Sequence, residues 1–370
     1  MLKRYSQALA AVALALVGGA AYAQQAAQPA ISAVDCNACA TPCTSGGSFY
    51  GSVGVLYLKS TANSNNAYSS FDTPFEDGTT LSSFSTISDF NRRYDFAYRT
   101  EFGYTTDCGW GGRLRWFSFV SADSISVLDN QQDFAGPGSG VASVKATASP
   151  LGLQFSTFGD NIDPSTLVVE TRVRVKTWDL ELTRNTRCGC LDLTWSAGVR
   201  YLQIDQDYNA LERLNAPAST LDRDIRVAQT IISNHTMNGI GPILGLEGRH
   251  TLWDNLRVYG LGRVGFIFCD GHHQAWSQVE FNPEFQIDPV NSAAEEFRSR
   301  MVTTAEVEMG LEYAHELCSG SEVYVRGGVN GMVFGGVGNA SRSAIGAPPD
   351  ERKNENLALW GFNVSVGFRY

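Results

Sequence analysis

Charged side chains alternate with apolar ones in several segments of this sequence, and they are the residues best placed to do chemistry. Arg99 and Glu101 stand two apart in one segment, and Arg113 and Arg115 do so in another. Residues two apart share one face of a strand, so each segment predicts a charged face opposite an apolar one. A charge facing lipid costs about 2–4 kcal/mol, so these faces should line an interior. The predicted lining residues are Arg93, Arg99, Glu101, Arg113, Arg115, Arg172, Arg174, Asp192, Arg200, Arg257, Arg263, Glu306, Glu308, Glu312 and Arg326, and the same register places Asp95, Glu247, Glu322 and Arg369 on the inward face.

A second group of residues has the composition of a hydrolytic site. Asp270, His272 and His273 lie in one polar stretch, and His235 and Asp205 lie near another. An aspartate–histidine pair can activate water. However, histidines in polar loops are usually only solvated, and the sequence has no GxSxG elbow, HExxH helix or phosphate-binding loop. We therefore expect no catalytic residue, no metal ligand and no cofactor, and keep a hydrolase at the barrel rim as the weakest alternative.

The cysteines suggest cross-links rather than catalysis. The beginning of the chain indicates export, and disulfides persist outside the cytoplasm. Cys36 and Cys39 form a CxxC pair, but no second pair follows at zinc spacing and no thioredoxin-like context surrounds them. The sequence cannot choose the pairing. All eight are disulfide candidates: Cys36, Cys39, Cys43, Cys108, Cys188, Cys190, Cys269 and Cys318.

The last fourteen residues, 357–370, show most clearly which elements would position the charges. Trp360, Phe362 and Val364 belong to an apolar face, whereas Asn363 and Ser365 belong to a small or polar one. An apolar outer face with aromatic residues near both ends is typical of a barrel strand that crosses a membrane. This stretch is therefore predicted to be a transmembrane strand.

Similar alternation recurs along the chain. In the fourth segment the apolar phase changes near Thr177, which predicts a β-bulge. The predicted strands cover about 48–59, 93–104, 112–121, 169–183, 191–204, 239–249, 256–268, 303–314, 322–333 and 357–370.

The connections between these strands are short after every even strand and long after every odd one. This alternation predicts an all-β fold, a transmembrane antiparallel up-and-down β-barrel with short periplasmic turns, long extracellular loops and both termini in the periplasm. We expect about ten strands, within a range of ten to fourteen, because 141–158 could add a hairpin. Residues 225–233 and 275–281 could extend strands beyond the membrane. A secreted β-sandwich is the alternative, but it gives no reason for the alternating loop lengths.

The beginning of the chain predicts export. Residues 1–23 have a charged start, an apolar run and the cleavage pattern Ala21-Tyr22-Ala23, as in a signal peptide. Residues 24–47 are predicted to be a periplasmic linker containing three cysteines, and 48–370 the barrel. The sequence after residue 23 has no run of eighteen consecutive apolar residues, so no transmembrane helix is predicted. The net charge of −10 argues against a nucleic-acid partner.

A family resemblance agrees with this plan. The signal peptide, the early strand SFYGSVGVLYLKS, the segment from Trp178 to Tyr208 and the terminal GFRY together resemble the Legionella major outer membrane protein family, also described as the Lpg1974-type pore-forming outer membrane proteins. The resemblance implies an outer-membrane β-barrel with pore activity. Phe368 and Tyr370 resemble the C-terminal signal that the barrel-assembly machinery recognises.

Two functions follow from a charged interior. In a wide barrel the charges line a porin-like pore for ions or small hydrophilic solutes. In a narrow barrel they pair across the lumen and close it, and a structural or adhesive protein would act through its external loops. We expect the pore, with outer-membrane lipid and small solutes as partners, and leave a homo-oligomer open.

Overall fold

The structure is a computed structural model, and part of the chain is described. The described residues are 47–62, 66–76, 79–80, 84–129, 131–134, 141–148, 165–188, 191–218, 223–253, 255–281, 290–317, 320–340 and 355–370. The predicted signal peptide (1–23) lies outside these ranges, as does the predicted linker (24–47) up to Gly47. Both assignments stay predictions.

The regular elements of the described residues are strands. No helix among these residues is long and apolar enough to cross a membrane. The strands are β1 (Gly47–Ala62), β2 (Asn66–Glu76), β3 (Thr79–Thr80), β4 (Phe84–Asp89), β5 (Tyr94–Thr106), β6 (Trp110–Asp129), β7 (Gln131–Phe134), β8 (Val141–Ala148), β9 (Ser165–Cys188), β10 (Leu191–Ala218), β11 (Arg223–Trp253), β12 (Leu256–Phe281), β13 (Val290–Glu316), β14 (Glu322–Gly335) and β15 (Leu357–Arg369).

Ten of these strands form a closed antiparallel barrel in the order β1-β15-β14-β13-β12-β11-β10-β9-β6-β5. The barrel closes between the first and last strands, where Tyr50 pairs with Arg369 and Ala62 with Leu357. The predicted all-β barrel of about ten strands is thus confirmed. The described part of the predicted extra hairpin (141–158) is β8, which lies outside the wall because it pairs with β2 and β7 in a small separate sheet. Residues 149–158 lie outside the described residues.

The outer surface is apolar because the lipid-facing positions of each strand carry large hydrophobic side chains. Phe362, Val364 and Phe266 are each about half exposed or more. Aromatic residues form two girdles around this band, as in membrane barrels. The girdle near the short turns contains Phe49, Tyr104, Trp110, Trp195, Trp253, Tyr313, Phe368 and Tyr370, and the girdle toward the long loops contains Tyr57, Tyr94, Trp116, Trp178, Tyr201, Phe268 and Trp360.

The predicted bulge at Thr177 is wrong. β9 pairs with β6 and β10 without a shift of register from 166 to 184. Val173 and Val175 face the interior, on the same face as Thr177 and Asp179. The apolar phase changes because the strand leaves the membrane above Trp178, where the outer surface meets water while the interior stays apolar.

Candidate functional site: the filled lumen

Ion pairs fill the part of the lumen nearer the short turns. Nine arginines and eight carboxylates face inward there, and each pairs with at least one opposite charge of the set. The arginines are Arg99, Arg113, Arg115, Arg200, Arg249, Arg257, Arg263, Arg326 and Arg369, and the carboxylates are Glu101, Asp179, Glu181, Glu247, Glu306, Glu308, Glu312 and Glu322.

Several of these pairs join strands that are far apart in the wall. Arg99 of β5 donates two hydrogen bonds to Glu308 of β13, one of them 3.0 Å long from Nη2 to Oε1. Arg113 of β6 reaches Glu247 of β11 at 3.1 Å. The arginine fork matches a carboxylate with two parallel bonds, which makes such pairs strong and directional. The opposite walls of the barrel are therefore tied together across its interior.

Neutral polar groups complete the network around Glu308. Asn363 and Asn330 donate to its carboxylate at 2.9 and 3.1 Å, and the Tyr259 hydroxyl donates at 3.0 Å. A cavity beside Arg99 and Glu308 has about 10 Å³, room for about one water molecule. This part of the lumen is packed rather than open.

Most predicted lining residues face this interior. Those that do are Arg99, Glu101, Arg113, Arg115, Arg200, Arg257, Arg263, Glu306, Glu308, Glu312 and Arg326. Asp192 lies at the rim near the short turns, where it accepts from Arg187 at 2.7 Å with both side chains largely solvated. Their role in lining a pore stays a prediction.

The prediction is wrong for three residues, Arg93, Arg172 and Arg174, which do not face the interior. Arg93 is exposed and precedes β5, whereas its neighbour Arg92 is buried and donates to Thr171 at 3.0 Å. Arg172 and Arg174 point outward, above the girdle. Water surrounds the wall at that height, so an outward charge costs little, and the lipid-based rule no longer applies.

Three members of the network, Asp179, Glu181 and Arg249, are not among the residues predicted from the sequence to face the lumen. Asp179 and Glu181 alternate with the lipid-facing Trp178 and Leu180, so the period-two rule could have found them. The expected bulge concealed this signal. Arg249 pairs with Glu247 two residues away on the same strand, at 2.7 Å.

An apolar layer lies above the ion pairs, toward the long loops. It is one connected cluster of buried side chains, and all ten barrel strands contribute to it. Its members are Leu56, Leu58, Ala97, Phe117, Phe119, Val173, Val175, Leu202, Ile204, Met237, Ile267, Cys269, Val302, Met332, Phe334, Val337, Leu357 and Leu359. A layer built from every strand crosses the whole lumen and excludes water there.

A short segment after β14 enters the barrel from the long-loop side. We call residues 336–340 the lumen strap. Val337 at 0% exposure belongs to the apolar layer, and Ala340 at 1% packs in a second apolar cluster with Tyr208 and Ile231. The strap therefore caps the layer from within the barrel.

The cysteines differ in state. Cys108 is disulfide-bonded. Cys269 is a free, buried thiol, so the prediction of a disulfide is wrong for this residue: it points into the apolar layer, among aliphatic side chains. The side chains of Cys36, Cys39, Cys43, Cys188, Cys190 and Cys318 lie outside the described residues, and their cross-links stay predictions.

The residues considered for hydrolysis are divided between the two surfaces of the wall: His235 and His273 face inward, whereas Asp205, Asp270 and His272 face outward. His272 faces outward, stacks on Phe297 and bonds Glu295 at 2.7 Å. His273 faces inward and is buried. His235 also faces inward, whereas Asp205 contacts the outward Arg174 at 3.7 Å. Asp270 shares the outer surface with His272 but accepts a hydrogen bond from Ser299 at 2.7 Å, and His272 contacts Glu295 instead.

Two features of the C-terminus are in place for membrane insertion. Phe368 faces lipid, and the backbone of Tyr370 exchanges hydrogen bonds of 2.9 and 2.8 Å with Phe49 of the first strand. The last residue thus helps to close the barrel. Recognition of this end by the assembly machinery stays a prediction.

A closed ten-stranded antiparallel barrel with an apolar outer band between two aromatic girdles defines an outer-membrane β-barrel protein. Residues 40–370 match the family described as Legionella pneumophila major outer membrane protein precursor. The chain belongs to this family, which confirms the resemblance noted in the sequence.

Several solved structures match this chain at low sequence identity and low TM-score. The outer membrane protease OmpT of Escherichia coli is 10% identical, with 87% of this chain and 96% of that chain covered and a TM-score of 0.35. A FadL homologue of Pseudomonas aeruginosa is 6% identical, with 88% and 90% covered and a TM-score of 0.22. The Pseudomonas putida toluene transporter TodX is 8% identical, with 88% and 89% covered and a TM-score of 0.24. No curated protein matches the chain.

Proposed function

We propose that this protein is a closed outer-membrane barrel that does not conduct in the state described above, and that it acts at the cell surface through the part beyond the long-loop girdle. The observation that carries this proposal is the apolar layer, to which every barrel strand contributes. Moving an ion through a dry apolar layer is costly, because its hydration is lost without replacement.

The ion pairs support the same proposal. Free charges along a lumen attract ions, but charges that pair with each other are already compensated. Glu312 at 0% and Glu308 at 2% exposure have their carboxylates occupied by Arg326 and Arg99. A solute entering this region would have to break pairs that hold opposite walls together.

The length of the strands supports action at the surface. Ile240 lies at the upper edge of the apolar band, and 17 residues of β11, 223–239, lie beyond it toward the long loops. At about 3.4 Å per residue this extension is on the order of 50 Å along the strand. The termini would then lie in the periplasm, and the extended wall and loops outside the cell.

Planar-bilayer recording of the refolded protein lacking residues 1–23 tests the closed state. We expect insertion without stepwise conductance at neutral pH. Insertion is checked separately by strand content and by protease protection of the membrane band. Stepwise conductance whose ion preference changes in Arg115→Gln would overturn the proposal and favour a pore.

Labelling of intact cells tests the orientation. His272→Cys places an exposed thiol on the long-loop side, and Asp107→Cys places one in a short turn. We expect a membrane-impermeant maleimide to label the first variant and not the second. The reverse pattern would place the extended wall in the periplasm and end the surface proposal.

A conducting pore is the second candidate, and the charged region favours it. Arginines of β5 and β6 face glutamates of β13 across the lumen, an arrangement that would create a transverse field if the walls separated. Such a pore needs a second state in which the apolar layer opens. The same recording detects it as rare, large conductance steps.

A further inference from the structure

The backbone of the lumen strap is hydrogen-bonded to side chains of the wall. Arg300 of β13 donates to the carbonyl of Gly336 at 3.2 Å. Gln206 of β10 donates to the carbonyl of Gly338 at 3.1 Å and accepts from the amide of Ala340 at 3.3 Å. Strands β13 and β10 thus hold the strap through these bonds.

β11 also holds the strap directly, and β12 supports it indirectly through Ser233 of β11. His235 of β11 contacts the carbonyl oxygen of Val337 at 2.7 Å through Nε2. Ser233, also of β11, donates to the carbonyl of Ala340 at 2.6 Å and lies 2.9 Å from Nε2 of His273 of β12. These bonds lie above the girdle, outside the membrane band.

The partners of the two histidines fix where their protons are. A carbonyl oxygen only accepts, so Nε2 of His235 must be the donor to Val337. The single hydroxyl proton of Ser233 goes to Ala340, so Nε2 of His273 must donate to the Ser233 oxygen. In the neutral ring the proton is then on Nε2, and a second proton has to go to Nδ1.

A second proton on His235 is unfavourable, because it would have to bind at Nδ1. Nδ1 of His235 is buried and has no hydrogen-bond partner among the described residues. His235 pairs directly with His273 across the β11–β12 ladder, and the rings are 5.6 Å apart. Burial lowers the pKa of His235 to about 4, with a smaller contribution from His273.

Charged and polar groups of the neighbouring elements surround the two histidines. β13 contributes Arg300, which opposes a proton on His235, and Glu296, which favours it. β10 contributes the neutral amide of Gln206. Beside the strap, Glu355 accepts from the Val337 amide through its backbone at 2.9 Å and has a buried carboxyl group.

We propose that the lumen strap is an acid-released lid: protonation of the buried His235–His273 pair expels residues 336–340 from the barrel and uncovers the polar side chains that bind the strap, among them Gln206, Ser233 and Arg300. Release removes the buried positive charges, because the histidines become solvated when the strap leaves. The lid closes again at neutral pH, when both rings lose the added proton. This lid goes beyond the proposed closed barrel: it removes Val337 from the apolar layer and leaves in place the members that the ten strands contribute.

Hydrogen exchange of the full mature protein in detergent micelles tests the lid. We measure protection of the peptide that contains residues 336–340 at pH 7.5, 5.5 and 4, each corrected for the intrinsic exchange rate at that pH. We expect protection to fall at least tenfold between pH 7.5 and 4. A peptide from β15 serves as the internal reference and should keep its protection.

Two variants separate the histidine pair from general acid effects. His235→Gln keeps a donor to the Val337 carbonyl but takes no proton, so the strap should stay protected at pH 4. His272→Gln, which changes the exposed neighbouring histidine, should respond to acid as the wild type does.

Either of two results would overturn the lid. One is wild-type protection that does not change from pH 7.5 to 4, and the other is a normal acid response in His235→Gln. If His235→Gln does not fold, His273→Gln replaces it with the same expectations. Failure of the closed-barrel proposal would appear as conductance at neutral pH, which is a different measurement.

Discussion

Arg115 and Glu306 face each other across the full width of the barrel. Arg115 lies on β6 and Glu306 on β13, which are five strands apart in either direction around the ring of ten. Nevertheless, Nη2 of Arg115 donates to Oε1 of Glu306 at 2.8 Å. A single ion pair therefore joins diametrically opposite walls, which is feasible only because the lumen is narrow.

Removal of Glu306 should destabilise the barrel strongly. In Glu306→Ala, Arg115 keeps its burial but loses the carboxylate with which it pairs, and an unpaired buried charge costs about 3–5 kcal/mol. The free energy of unfolding, measured in urea with lipid vesicles, gives this loss. We expect Arg115→Met together with Glu306→Ala to be less destabilised than the sum of the two single variants.

A solvated ion pair provides the control. Arg187→Ala removes the partner of Asp192, but both side chains are largely in water. Exposed pairs contribute about 0–1 kcal/mol, so little change is expected. Equal losses in Glu306→Ala and Arg187→Ala would show that the lumen is hydrated.

Cys269 reports directly on the apolar layer. Its thiol is buried among the residues that cross the lumen, so a charged methanethiosulfonate reagent should not reach it in the folded barrel. Mass spectrometry of the peptide containing Cys269 measures the modification. We expect reaction only after unfolding in urea, whereas the exposed thiol of His272→Cys should react in the folded state. Rapid modification of folded Cys269 would mean that water reaches the layer.

Substitution of two glycines that have positive φ angles distinguishes the effect of backbone strain from that of steric crowding. Gly338 in the strap has φ +77°, and an added Cβ would lie 3.1 Å from Nε2 of His235. Gly320 has φ +80° with open space around it. We expect Gly320→Ala to cost about 1 kcal/mol of unfolding free energy and to leave the strap protected from exchange. Gly338→Ala should also lose protection in the strap, because the new methyl group displaces the His235 bond.

The sequence predicted the membrane-crossing wall well. In β10 and β15 the lipid-facing side chains are large and apolar and the inward ones small or polar, so period two identifies both strands and their faces. This rule holds only where the outer surface of the wall faces lipid. Above the girdle Arg172 and Arg174 lie in water and Val173 and Val175 lie in a dry interior, so the same rule reverses there and gave the wrong face.

Contacts across the lumen were not predictable in the same way. Whether Arg115 meets Glu306 depends on how far the strands are staggered around the whole ring, which no single segment encodes. The strap has no periodic pattern, because its sequence Gly336-Val337-Gly338-Asn339-Ala340 is held through backbone bonds. The narrow lumen, not the charge pattern, decides between a pore and a closed barrel.

Adjacent residues of the last strand test the two faces of the wall. Val364 is 58% exposed to the membrane band, and Ser365 is 5% exposed in the lumen. Val364→Arg places a charge in lipid and should cost about 2–4 kcal/mol of folding free energy in bilayers. In an open pore Ser365→Arg would be tolerated. In the packed lumen it should be destabilising too, because Ser365 pairs with the position of Arg326 in β14. Ser365→Ala keeps the volume and should fold normally. Folding of Ser365→Arg at wild-type yield would contradict a filled interior, and folding of Val364→Arg at wild-type yield would contradict the lipid-facing assignment.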